Sequence, residues 1–351
     1  MLQLPEKLTA LKPYDPITGS YTVRLDANES YFDLPLVLKA KIADRIEEID
    51  FNRYPDPLAA PAIEAFASYY NVPVDCVTAG NGSDELISIL TSCFLQAGSK
   101  IVTLSHDFSM YRFYASLYEV ETITVQKNDH LQIDVDTLIA ACQNADAVIF
   151  SNPCNPTSLG LPRNEIKRLL DAVSCLVILD EAYMDFWDQS VMDWVNAYDH
   201  LIILRTCSKA VGLAAARMGF AVTNPRMTGL LRAAKSPYNC DAISQTIAAT
   251  VLNEKELLQH CRDEIIVQTQ RLYTAISALV KRYPALLETV YAPRTNFVFI
   301  KTAYAQEIHQ ALLEQGIAVR CFPNGLRICC GTRREHTLLL NALENILQPK
   351  D

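Results

Sequence analysis

Between about residue 75 and residue 225 the chain alternates short β-branched apolar runs with longer amphipathic stretches, and nothing else in the sequence restricts the fold as much. The runs fall at 101–104, 120–125, 147–150, 176–179, 201–204 and 220–222. Several are apolar at every position, so both faces of the strand need cover, as in the buried strands of a mainly parallel sheet. Stretches 84–95, 136–142 and 163–173 carry helical spacing and supply the long crossovers that parallel strands require. This predicts an α/β fold, a mainly parallel sheet sandwiched by helices. Such sheets hold ligands beyond the carboxyl ends of their strands, so the residues just after the runs are the ones to read for chemistry.

A chain of 351 residues exceeds one core, and the pattern changes near Ser236-Pro237. We expect an N-terminal arm over 1–30 with Pro5, Pro13 and Pro16, a large domain over 31–235, and a smaller α+β C-terminal domain over 236–351. The last should hold long helices over 241–281, strands near 296–300, 318–320 and 326–329, and helices near 304–315 and 334–347, with Gly316 as a helix stop. A net charge of −9 with no basic stripe argues against nucleic acid or an anionic membrane as partner. The eleven cysteines are odd in number, contain no Cys-x-x-Cys pair and sit mostly in apolar runs, and the six histidines are scattered. That pattern predicts reduced thiols, no metal site and a cytoplasmic protein.

Four segments carry reactive groups, and three of them follow expected strands. In Leu176-Val-Ile-Leu-Asp180-Glu-Ala-Tyr183 a carboxylate ends an apolar strand. It could cap the next helix, or pair with a cationic ring nitrogen. In Ser208-Lys209-Ala-Val-Gly-Leu-Ala-Ala-Ala-Arg217 a lysine stands among small apolar residues; such surroundings lower an amine pKa, which Schiff-base chemistry needs. Ser208 and Arg217 could bring a hydroxyl and a guanidinium to one phosphate, unless Arg217 is only a helix-end ion pair. Thr78-Ala-Gly80-Asn-Gly82-Ser83-Asp84-Glu85 offers glycines and a helix N-terminus to an anion, though Ser83 could be a plain N-cap. It lacks a third glycine and a strong preceding strand, so a dinucleotide loop is disfavoured. In Phe150-Ser-Asn-Pro153-Cys-Asn155-Pro156-Thr157 two prolines fix an asparagine at the same sheet edge.

In this order, Asn155-Pro-Thr, Asp180-Glu-Ala-Tyr183, Ser208-Lys209 and Arg217 resemble the fold type I pyridoxal-phosphate enzymes. Leu11-Lys-Pro-Tyr14, Leu25-Asp-Ala-Asn28-Glu29, Arg53-Tyr54-Pro55-Asp56, Ser109-Met-Tyr111 and Leu326-Arg327-Ile narrow the likeness to the histidinol-phosphate aminotransferase family. The resemblance implies the following roles. Lys209 carries pyridoxal 5'-phosphate as a Schiff base and moves the proton. Asp180 pairs with the ring nitrogen, Tyr183 and Asn155 bond its phenolic oxygen, and Tyr111 stacks on its face. Ser83, Asp84, Ser208 and Arg217 hold the phosphate, and Tyr54 reaches the cofactor of a second subunit in a homodimer with shared sites. Tyr14, Asn28, Arg320 and Arg327 bind substrate, with L-histidinol phosphate and 2-oxoglutarate as donor and acceptor in histidine biosynthesis.

Three positions depart from the family pattern: Ser158 where Asn-Pro-Thr is usually followed by glycine, Phe108-Ser109-Met110-Tyr111 for the usual Tyr-Gly-Met-Tyr, and a short loop between Arg320 and Arg327. Alternatives within the fold are a threonine-phosphate decarboxylase and a broader amino-acid aminotransferase. Outside this class, a nucleotide-dependent oxidoreductase built on Gly80–Gly82 would leave Lys209 and Asp180 idle, and a non-catalytic binding protein would have no need to keep them.

Overall fold

The computed structural model describes residues 2, 4–9, 11 and 17–348. Twelve strands among them form two sheets. They are β1 (Val23–Leu25), β2 (Val77–Asn81), β3 (Lys100–Leu104), β4 (Glu121–Val125), β5 (Ala147–Ser151) and β6 (Leu176–Asp180), then β7 (Leu201–Thr206), β8 (Met218–Val222), β9 (Thr289–Val290), β10 (Phe297–Lys301), β11 (Ile317–Phe322) and β12 (Gly325–Cys329).

The larger sheet runs β2-β8-β7-β6-β5-β3-β4. The pairs β4–β3, β3–β5, β5–β6 and β6–β7 are parallel, while β8 runs against both of its neighbours. All five residues of β5 and all six of β7 are buried. Two apolar clusters cover the two faces, one around Phe66, Val148, Phe150 and Ile203, the other around Leu86, Leu90, Ile149 and Ile202. Each fully buried Ile or Phe of this kind contributes about 1.5–3 kcal/mol. The strand order reverses between β3 and β5, and the site lies at the carboxyl ends there.

The predicted runs all became strands. Sequence reasoning did not anticipate β2: a strand does precede the Gly80–Gly82 segment, and Gly80 and Asn81 are its last two residues. It is held by its antiparallel pairing to β8, where Gly219 lets the backbone of Gly82 and Ser83 come close enough that a Cβ would sit 2.4 Å from the Ser83 nitrogen.

The smaller sheet runs β1-β11-β12-β10-β9. Its edge strand comes from the start of the chain: β1 pairs parallel with β11. A second core forms here, from Val23 and Leu25, Leu272 and Ile276 of the helix Lys255–Arg282, and Leu339 and Leu343 of the helix Arg333–Leu347. The helix Ala242–Leu252 packs on Ala60–Tyr70, and its Ala248, Val251 and Leu252 lie in the first core, as does Leu258. The expected boundary at residue 236 therefore lies upstream of the crossover, which occurs along Lys255–Arg282. A small cluster joins the two units: Ala182, Tyr183, Phe186, Ala210, Ile265, Phe297 and Cys330. Among the described residues no helix is long and apolar enough to cross a membrane.

Candidate active site

Four strand ends converge at the junction of the two units. At the end of β6, Asp180 is 4 % exposed. Its Oδ2 accepts the Tyr111 hydroxyl at 2.7 Å and its Oδ1 accepts the Ala182 amide at 3.0 Å. It thus closes a tight turn rather than capping a regular helix. Burial pushes its carboxyl up to about 6, against the pull of those two donors. An ionised carboxylate in this position lacks a cation, which suits it to a cationic partner placed above it.

After β7, the amide of Ser208 turns back to Thr206 Oγ1 at 3.1 Å, and the chain delivers Lys209 into the cleft. The half-buried amine donates to the carbonyl of Ala27 at 3.1 Å and lies 5.8 Å from the Tyr183 ring centroid. Burial, and then the nearby Arg327 guanidinium, pull its pKa down to about 8. The small apolar residues read in the sequence thus surround an amine that is easier to deprotonate than a solvated lysine's.

The anion cradle is assembled from β2, β7 and β8. The helix Gly82–Cys93 starts at Gly82, after Asn81 as N-cap, so Ser83 lies within the first turn and is not the cap. Gly82 has φ +75, and a Cβ there would meet Arg217 Nη2 at 2.7 Å. Arg217, itself at φ +50, donates to Ser208 Oγ at 3.3 Å and lies 3.7 Å from Asp84 Oδ2. Free N–H groups of the first turn, a hydroxyl and an exposed guanidinium therefore face one space. That space exists because position 82 has no side chain. Its donors fit a phosphate, and the buried Asp180 fits a protonated ring nitrogen.

Over the cleft, the smaller sheet contributes Arg327, 7 % exposed. It donates to Asn155 Oδ1 and to the Asp26 carbonyl, each at 2.5 Å, and its Nε has no hydrogen-bond partner among the described residues. Arg320 stands directly across the β11–β12 pair from Arg327, on the same face. Asn28, at φ +55, donates to the Tyr183 hydroxyl at 3.0 Å, and its own Oδ1 has no hydrogen-bond partner among the described residues. Burial raises Tyr183 to about 12. Tyr111 is buried with its hydroxyl on Asp180. Tyr54 lies well away, 80 % exposed and stacked on Tyr238 at 4.5 Å. Tyr14 lies outside the described residues.

The family model for aminotransferase class I and II matches residues 21–343, a span that contains every one of these groups except Tyr14. The chain belongs to the class I and II aminotransferases. It is a transaminase of this family, and its relatives agree. A protein named histidinol-phosphate aminotransferase from Clostridium novyi is 36 % identical over 340 residues, covering 95 % of this chain and 94 % of that one. The solved histidinol-phosphate aminotransferase from Sinorhizobium meliloti, in complex with pyridoxal-5'-phosphate, superposes with a TM-score of 0.87 at 23 % identity over 99 % of this chain and 98 % of that one. The L-threonine-O-3-phosphate decarboxylase from Porphyromonas gingivalis shares the same fold, with a TM-score of 0.78 at 21 % identity over 93 % of this chain and 100 % of that one. Fold alone therefore does not separate transamination from decarboxylation.

Sequence reasoning missed a buried ionic cluster directly behind the site. Arg205, in β7, donates to Glu181 Oε2 at 3.2 Å and to Asp185 Oδ1 at 2.7 Å, and Tyr70 donates to Asp185 at 2.9 Å. The signal was available: a charge at a buried strand end must be paired.

Proposed function

We propose that this aminotransferase moves the amino group of L-histidinol phosphate to 2-oxoglutarate, with pyridoxal 5'-phosphate held on Lys209. The observation that carries the reading is the pairing of Arg320 and Arg327 above the lysine. The donor presents a phosphate dianion and the acceptor two carboxylates, and guanidinium groups meet both bidentately. The names of the relatives at about a third identity support the same substrate.

The residues then divide the work. Ser83 and Asp84 amides, Ser208 and Arg217 hold the phosphate of the cofactor. Asp180 keeps the ring nitrogen protonated, and Tyr111 keeps Asp180 in place. Arg327 occupies Asn155 Oδ1, which leaves the Asn155 Nδ2–H group to donate to the ring's phenolic oxygen alongside Tyr183. When bound, the cofactor supplies an electron sink for the charge left when a C–H proton is removed. The lowered pKa of Lys209 makes its neutral form more accessible than that of a solvated lysine, and it holds or releases that proton at Nζ. Asn28 completes the substrate pocket in this reading.

The exposed apolar patch of Phe51, Tyr54, Tyr238 and Ile243 is the surface we propose for a second copy, with Tyr54 reaching its cofactor phosphate. All eleven cysteines are free thiols, which supports a cytoplasmic setting. The test is a substrate panel scored by glutamate formed from 2-oxoglutarate. Histidinol phosphate should be used far better than histidinol. Carbon dioxide released from threonine phosphate at a comparable rate would replace this reading with the decarboxylase.

A further inference from the structure

We infer that Asp107, a residue with no assigned role, positions Asn155 through Ser151 and so sets the hydrogen bond at the cofactor's phenolic oxygen. This rests on the proposed role of Asn155. Asp107 is 9 % exposed and lies in the loop after β3. Every group aimed at it is a donor. Its Oδ1 takes the Phe108 amide at 2.7 Å, the Ser151 hydroxyl, and the Cys154 thiol at 3.7 Å, and its Oδ2 takes the Ser151 amide at 3.1 Å. An ionised carboxylate can only accept, so the Ser151 proton must point at Asp107.

That leaves the Ser151 oxygen lone pair to accept the backbone N–H of Asn155, 3.1 Å away. The chain of donors therefore runs one way, from Asn155 through Ser151 to Asp107, and each bond polarises the next. Arg327 fixes the other end of Asn155 by its Oδ1. The same carboxylate holds the turn that opens the helix Met110–Leu117, which carries Tyr111 to Asp180. Lys127 sits behind this arrangement, donating to Cys154 Sγ and to the His106 carbonyl, each at 3.0 Å, so its positive charge reaches Asp107 across the thiol.

The experiment uses the holoenzyme and reads the pH midpoint of its visible absorbance, which reports the environment of the lysine-bound cofactor. Asn155→Ala should move that midpoint by about half a unit or more. Asp107→Asn should move it in the same direction, and so should Ser151→Ala, which changes no charge and remains informative if the first variant folds poorly. Melting of each apoprotein reports on the fold separately. In the Asn155→Ala background, Asp107→Asn should add nothing, because the effect passes through Asn155. Additive shifts would mean a field effect through space and would overturn the inference. So would unmoved midpoints in Asp107→Asn and Ser151→Ala while Asn155→Ala shifts. An unmoved midpoint in Asn155→Ala itself would remove the proposed role of Asn155, and the inference with it.

Discussion

Replacing Arg205 with methionine keeps most of the side-chain volume and removes the charge. Its guanidinium is 3 % exposed and bonds two carboxylates whose side chains are 1 % and 7 % exposed. Glu181 would keep the Ser190 hydroxyl at 2.6 Å and the Val191 amide at 3.0 Å, and Asp185 would keep Tyr70. The ring of Tyr70 would also lose the cation 4.5 Å from its centroid. Removing one partner of a buried ion pair costs about 3–5 kcal/mol. The remaining donors soften this, so a loss of about 3 kcal/mol is expected, roughly a hundredfold or more in the folded-to-unfolded ratio.

The sign of the pH dependence follows from Glu181. Burial raises its pKa even with Arg205 opposing that shift, and without Arg205 the folded-state value rises further. A carboxyl whose folded pKa is raised costs stability above its unfolded pKa, and that cost disappears as pH falls through the folded value. The deficit of Arg205→Met should therefore be largest near neutral pH and shrink toward about pH 5. Urea midpoints at both pH values measure it, and Arg205→Met with Glu181→Gln should recover much of the loss. A deficit below about 1 kcal/mol, or one that does not change with pH, would refute the claim that these charges are buried together.

Gly82→Ala should lower cofactor affinity at least tenfold: φ +75 strains any L side chain by about 1–2 kcal/mol, and the new Cβ displaces Arg217; unchanged affinity by equilibrium dialysis would argue against the cradle. Loading of the apoprotein with cofactor should accelerate as pH rises through about 8, where Lys209 becomes mostly neutral, and Lys209→Ala should show no such rise and no turnover. Arg327→Lys should raise the apparent KM for donor and acceptor by about tenfold or more, about 1.4 kcal/mol, while cofactor still binds; equal KM values in both enzymes would remove Arg327 from substrate recognition.

The parts of the fold legible in the sequence are those whose residues are buried on both sides. Val148, Ile149 and Phe150 read as a strand because bulky, β-branched and aromatic residues in a row need cover on both faces, as a sheet interior gives them. Val77-Thr-Ala-Gly-Asn has little strand propensity of its own, and β2 exists through its pairing to β8. Nor does anything in Val23-Arg-Leu announce that three residues at the start of the chain complete a sheet with Ile317, Ala318 and Val319. Asp180 stood out because it ends a strand, and Lys209 because it follows one among small apolar residues. Asp107, Lys127 and Glu181 were not legible, because their meaning lies in partners elsewhere in the chain, and Arg205 offered only the rule that a buried charge must be paired.

Ser158 shows how far a single motif carries. It stands at φ +63, where glycine would be unstrained, and read alone it is only a departure from the family pattern. In the fold its hydroxyl accepts the Arg294 amide at 2.8 Å and pairs with the Thr295 hydroxyl at 2.7 Å. The segment carrying Asn155 is therefore gripped from three directions: by Asp107 from the larger sheet, by Arg327 from the smaller one, and by the chain entering β10. Two hydrogen bonds of about 1 kcal/mol each are of the same size as the backbone strain at such a position. The serine is thus tolerated because it anchors this loop to the other unit, a contact that glycine could not make.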